Sequence, residues 1–156
     1  MQTYMNDYLV VSRDQRTQLL NKCRRTLKEF EDFDTIAFSG NSGALMSFPL
    51  AHRLNKEIII IRKPRETDSS HSYVTIEGIV PCHRKIVIID DFVSIGRTIR
   101  YIVDTIKKED KDRNSGVLTC KFVGILLYNQ QLSSKSDYIK NLNIPTVNFK
   151  LPGTPS

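Results

Sequence analysis

Three short runs constrain this chain more than any other feature. Glu57–Ile61 (EIIII), Lys85–Ile89 (KIVII) and Lys121–Tyr128 (KFVGILLY) are strand-length, rich in β-branched residues and apolar at successive positions. Successive side chains of a strand face opposite ways, so such runs must be buried on both faces, as inside a parallel sheet. A shorter apolar run, Thr35–Phe38, precedes them. The segments between have helical periodicity. Ser12 followed by Gln15 reads as a capping box, and Leu19, Leu20, Cys23, Leu27 and Phe30 then recur at helical spacing. A second helix is expected over Ala44–Leu54, with Pro49 implying a bend or a start near that point. A third is expected from about Ile95 to Lys108, with Ile99, Ile102, Val103 and Ile106 on its inner face. EIIII is expected to be a central strand. Tyr73–Ile76 reads as a short strand within an otherwise polar loop from Arg62 to Arg84. Glu109–Asn114 (EDKDRN) reads as a surface turn, and the chain from Asn129 onward as irregular. Helices alternating with doubly buried strands give an α/β fold with a mostly parallel sheet.

At 156 residues, with no repeat, linker or low-complexity segment, the chain reads as one domain. Its 23 Lys+Arg against 17 Asp+Glu leave a formal charge of +6, which admits nucleic acid, an acidic surface or a polyanionic small molecule as partner. Basic residues do not cluster with aromatics. The densest group, Lys22, Arg24, Arg25 and Lys28, is followed at once by Glu29, Glu31, Asp32 and Asp34, the pattern of a solvated helix face. No apolar run reaches the ~18 residues of a membrane span. No basic region followed by an apolar core opens the sequence, so a secretory signal is not expected. Cys23, Cys82 and Cys120 form no CxxC pair and fit reduced, buried thiols in a cytoplasmic protein.

Ligands of open parallel sheets bind beyond the carboxyl ends of the strands. At that edge stands Lys85-Ile86-Val87-Ile88-Ile89-Asp90-Asp91-Phe92-Val93-Ser94-Ile95-Gly96-Arg97-Thr98. Two carboxylates end a hydrophobic strand, and a short polar loop opens a helix whose first amides and dipole favour an anion. Two acids beside an anion site suit ribose hydroxyls, or a magnesium ion shared with phosphate oxygens. Adjacent acids on an extended strand diverge, so both address one ligand only if the chain turns, and Phe92-Val93 is the expected turn. Other anion motifs fit poorly: Asp91 occupies the leading glycine position of a P-loop, and Gly40-Asn41-Ser42-Gly43 lacks the third glycine of a dinucleotide fingerprint. A response-regulator receiver carries its acidic pair after the first strand, whereas two strand–helix units precede Asp90 here.

Residues 86–98 resemble the signature of the type I phosphoribosyltransferases: four hydrophobic residues, two acids, two apolar residues and a Thr-x-Gly-x-Thr-like loop. The resemblance implies a three-layer α/β fold with a mostly parallel central sheet and, at this length, a minimal hood. It covers a core of about 33–128, leaving 129–156 as hood or tail. It implies transfer of the 5-phosphoribosyl group from phosphoribosyl pyrophosphate to a purine or pyrimidine base, with release of pyrophosphate. Asp90 and Asp91 take the ribose role, and Ser94, Ile95, Gly96, Arg97 and Thr98 form the 5′-phosphate cradle. Ser39, Gly40, Asn41, Ser42 and Gly43 stand where the family binds pyrophosphate. Arg62 and Lys63 end the second strand as a basic pair does in orotate and adenine enzymes. Arg65 and His71 fall where the family's lid closes.

The cofactor implied is Mg2+, held through the donor and by Asp90 or Asp91. The expected partners are phosphoribosyl pyrophosphate, a nitrogenous base and a second copy in a homodimer, without a membrane. Ser94 replaces an aspartate of hypoxanthine–guanine enzymes, which points away from a 6-oxopurine. Gly96–Arg100 also resembles the bacterial pyrimidine-operon attenuator, so the alternative is a non-catalytic donor-sensing or RNA-binding regulator on the same fold. Tyr138, Asn148, Phe149 and Asn143-Ile144-Pro145 are the tail's candidates for base contact.

Overall fold

The structure, a computed structural model, describes residues 12–63, 75–91, 96–129 and 137–149. In chain order it contains α1 (Arg13–Leu27), β1 (Thr35–Phe38), α2 (Gly40–Leu54), β2 (Glu57–Ile61), β3 (Ile76–Gly78), β4 (Lys85–Asp90), α3 (Arg97–Arg113), β5 (Lys121–Leu127), α4 (Asp137–Asn141) and β6 (Thr146–Asn148). The strands form one six-stranded sheet in the order β3-β2-β1-β4-β5-β6. All neighbours are parallel except β3, which runs antiparallel to β2 at one edge.

The β-branched runs explain the layering. Alternate residues of the inner strands enter two separate cores. Ile36, Val87, Ile89 and Leu126 pack on one face with Leu19, Cys23 and Leu27 of α1 and Met46, Leu50 and Ala51 of α2. Ala37, Ile86, Ile88, Ile125 and Leu127 pack on the other with Ile99, Ile102, Val103 and Ile106 of α3. Each buried Ile, Leu, Val or Met among them contributes ~1.5–3 kcal/mol by leaving water. The expected three-layer α/β fold with a mostly parallel sheet is therefore present. A bulge shifts the β4–β5 register, so that Ile86 faces Phe122 but Val87 faces Gly124. Val123 is the extra residue. Gly124 is thereby set against the Phe30 ring, where a Cβ would lie 2.5 Å from Cδ1.

Several expectations are corrected. EIIII is next to the edge strand, with Ile58 and Ile60 only half-buried, because β3 alone covers its outer side. The short edge strand is described over Ile76–Gly78, and Tyr73 and Val74 of the expected strand lie outside the described residues. α2 starts at Gly40 and runs on through Pro49, since Met46, Leu50 and Ala51 hold both halves against the sheet despite the lost N–H. α3 runs to Arg113, taking in most of the supposed surface turn, and Asp110 is buried in it. The helix continues because Arg113 pairs with Glu109 one turn back at 2.7 Å, and because Asp110 finds partners inside. Phe30 lies beyond α1, which stops at Leu27. Cys23 and Cys120 are buried as expected, but Cys82 is half-exposed and accepts from Asn114 Nδ2. The tail is not wholly irregular: α4 and β6 extend the fold beyond residue 128, with β6 pairing Val147 against Leu126.

Candidate functional site

Sheet order reverses between β1, whose chain proceeds to β2 on one side, and β4, which lies on the other. Such a switch point opens a crevice at the carboxyl ends of the two strands. Both expected loops start there: Ser39 follows β1, and Asp90 ends β4.

Gly43 brings the loops together. A Cβ at this position would lie 2.8 Å from Phe38 Cβ and 3.2 Å from the Ile89 carbonyl oxygen, so only glycine lets the first turn of α2 sit this close to β1 and β4. Gly43→Ala is expected to push α2 outward and cost ~1–3 kcal/mol, read as a fall in Tm of roughly 2–4 °C per kcal/mol. That closeness lets Ser42 Oγ donate to Asp90 Oδ1 at 3.2 Å. The Asp91 N–H donates to the same oxygen at 2.9 Å. Asp90 is 6 % and Asp91 9 % exposed, so the two carboxyls occupy a largely dry corner. The backbone is locked from the other side: Tyr128 N–H donates to the Asp90 carbonyl at 3.1 Å and Asn129 N–H to the Asp91 carbonyl at 2.7 Å.

Burial, and then the charge of Asp91, push the Asp90 carboxyl up to about 7. The sign for stability follows. An unfolded aspartate titrates near ~3.9, so between that pH and about 7 the folded state binds more protons, and this group's contribution is lost as pH rises through the window. Asp90→Asn is expected to flatten that slope and to raise Tm above wild type at pH 8 by roughly 5 °C, corresponding to ~2 kcal/mol. Thermal melts from pH 5 to 8.5 check it.

Other site residues are placed as follows. Ser39 is the buried N-cap of α2, and its hydroxyl has no hydrogen-bond partner among the described residues. Gly40 and Asn41 are exposed on the first turn. Gly96 is buried with φ 83°, a left-handed conformation suited to glycine, and caps α3. Arg97 is exposed and Thr98 half-buried. Lys63 is exposed just past β2. Arg62 is engaged by Glu77 of β3 at 2.7 Å, and its carbonyl accepts from Tyr101 Oη at 3.2 Å. Ser94, Ile95, Arg65, His71, the Phe92-Val93 turn and the side chain of Tyr138 lie outside the described residues. Asn148 and Phe149 stand on and after β6. A cavity of about 240 Å³ between Arg24, Phe33 and Lys56 lies at the opposite end of the sheet from the acid pair, by the start of β1.

Sequence reasoning missed Tyr128. It is wholly buried at the end of β5, and its hydroxyl donates to the Ser42 carbonyl at 2.6 Å. The readable signal was a phenol ending an otherwise apolar strand at the ligand edge.

No family model and no curated protein matches the chain by sequence. Solved structures do match. The adenine phosphoribosyltransferase of Thermoanaerobacter pseudethanolicus superposes with a TM-score of 0.62 at 18% identity, over 86% of this chain and 79% of that one. The orotate phosphoribosyltransferase of Aeropyrum pernix gives 0.68 at 16% identity, over 90% and 73%. The orotate enzyme of Mycobacterium tuberculosis in complex with 5-phospho-α-D-ribosyl 1-diphosphate gives 0.60 at 11% identity, over 83% and 68%. The resemblance read from residues 86–98 thus holds at the level of fold: the chain has the fold of the type I phosphoribosyltransferases. Among the described residues no helix is long and apolar enough to cross a membrane.

Proposed function

We propose that this protein transfers the 5-phosphoribosyl group from phosphoribosyl pyrophosphate to a nitrogenous base. The observation that carries the reading is the buried Asp90–Asp91 pair at the switch point, tied through Ser42 to the first turn of α2. In this reading Asp90 and Asp91 accept from the ribose hydroxyls. The Gly96–Thr98 start of α3, with Ser94 and Ile95, receives the 5′-phosphate. The first-turn amides of α2 and the unpartnered Ser39 hydroxyl receive the pyrophosphate. Lys63, exposed just past β2, adds positive charge there, whereas Arg62 must first leave Glu77.

The C1–oxygen bond breaks with its electron pair leaving on pyrophosphate, and a base nitrogen forms the new bond to C1. Positive charge builds on the sugar in between, so catalysis is mainly electrostatic positioning. Magnesium suits this donor set. Among the described residues no cluster of three or more acidic, Cys or His side chains could hold a metal alone, and magnesium characteristically takes one or two carboxylates plus substrate phosphates. Asp90 or Asp91 would supply that carboxylate. The ion, when bound, would offset charge on the leaving pyrophosphate.

Calorimetric titration with phosphoribosyl pyrophosphate and magnesium tests the reading. One site per chain is expected. Absence of binding at millimolar ligand overturns it.

A further inference from the structure

We infer that Tyr128 is a positioning residue whose phenol holds the first turn of α2 where the Ser42 hydroxyl can reach Asp90. The inference rests on the function proposed above, because it concerns the geometry of that same site. Three residues far apart in sequence close a ring of hydrogen bonds. Tyr128 N–H donates to the Asp90 carbonyl at 3.1 Å. Tyr128 Oη donates to the Ser42 carbonyl at 2.6 Å. Ser42 Oγ donates to Asp90 Oδ1 at 3.2 Å. One residue therefore grips the acid strand with its backbone and the opposing loop with its side chain.

The Tyr128–Ser42 bond is more than a buried phenol finding any acceptor. The Ser42 carbonyl lies within α2, where the helical i→i−4 pattern already supplies a donor. The phenol thus adds a constraint to a group that does not need it for satisfaction. With Gly43 leaving no Cβ to hold α2 away, the phenol fixes how near the turn comes.

Tyr128→Phe keeps the ring and removes only the hydroxyl. Affinity for phosphoribosyl pyrophosphate with magnesium, measured by calorimetry, is expected to fall about fivefold to tenfold, the scale of one hydrogen bond, while Tm moves little. Ser42→Ala is expected to weaken binding similarly, and the double variant to be no weaker than the weaker single one, because both cut the same ring. Wild-type affinity in Tyr128→Phe, or losses that add in the double variant, overturns the inference with the functional reading intact. A wild-type protein that binds no phosphoribosyl pyrophosphate overturns both.

Discussion

Asp90→Asn combined with Asp91→Asn is expected to lower phosphoribosyl transfer by on the order of 10²–10⁴-fold while the protein stays folded. A hydrogen bond to a charged group contributes ~1.5–3 kcal/mol, and two such bonds to the ribose hydroxyls span that range of rates. Removing both charges also removes the negative field beside a sugar that becomes positive as its bond to pyrophosphate breaks. The fold should tolerate the change. Asparagine keeps the shape and an acceptor for Ser42 and for the neighbouring backbone N–H, and it relieves the repulsion between two adjacent buried carboxyls. Pyrophosphate release, read beside a thermal melt, checks both halves. Full activity in the double variant would remove the acid pair from the site.

The largest effect on stability is expected at Asp110. Its buried carboxylate accepts from the N–H groups of Thr119 (2.6 Å) and Cys120 (2.8 Å), from the Thr119 hydroxyl and from Asn114 Nδ2 (2.9 Å). These bonds tie the end of α3 to the residues entering β5. Burial alone would raise its pKa, but the bonds from Thr119 and Cys120 outweigh burial and lower it to about 2. Asp110→Ala strands two backbone donors at ~1–3 kcal/mol each, so a loss of roughly 3–5 kcal/mol is expected in urea unfolding. For a carboxyl with a lowered folded pKa the contribution is present above the unfolded value of ~4 and lost as pH falls toward about 2. The Asp110→Ala penalty should therefore shrink in acid. A penalty below ~1 kcal/mol at neutral pH would mean that these bonds do not hold the α3–β5 connection.

Asp110 also shows where the sequence stops being legible. The β-branched runs announced β1, β2, β4 and β5 because a strand that must be dry on both faces has few alternatives. The acid pair was legible for a related reason: carboxylates ending such a strand have no place in a core. Asp110 sits in EDKDRN, where one buried acid looks like its solvated neighbours, although it falls four residues after Ile106 on the same helical stripe. The start of α2 was hidden because Gly40–Gly43 suits a loop and a tightly packed helical turn equally, and only the contacts of Gly43 with Phe38 and Ile89 decide. The Arg62–Glu77 pair depends on an antiparallel edge register that a three-residue strand does not encode locally. The Tyr128–Ser42 bond spans 86 positions and exists only once the sheet is assembled.

The most direct measurement is pyrophosphate release from phosphoribosyl pyrophosphate with magnesium across a panel of purine and pyrimidine bases. Base-dependent release, with one nucleotide formed per pyrophosphate and loss of both in the Asp90→Asn/Asp91→Asn protein, is the predicted result. Binding of the donor without release for any base, together with RNA affinity that falls steeply with salt, would contradict a transferase and leave a regulator on the same fold.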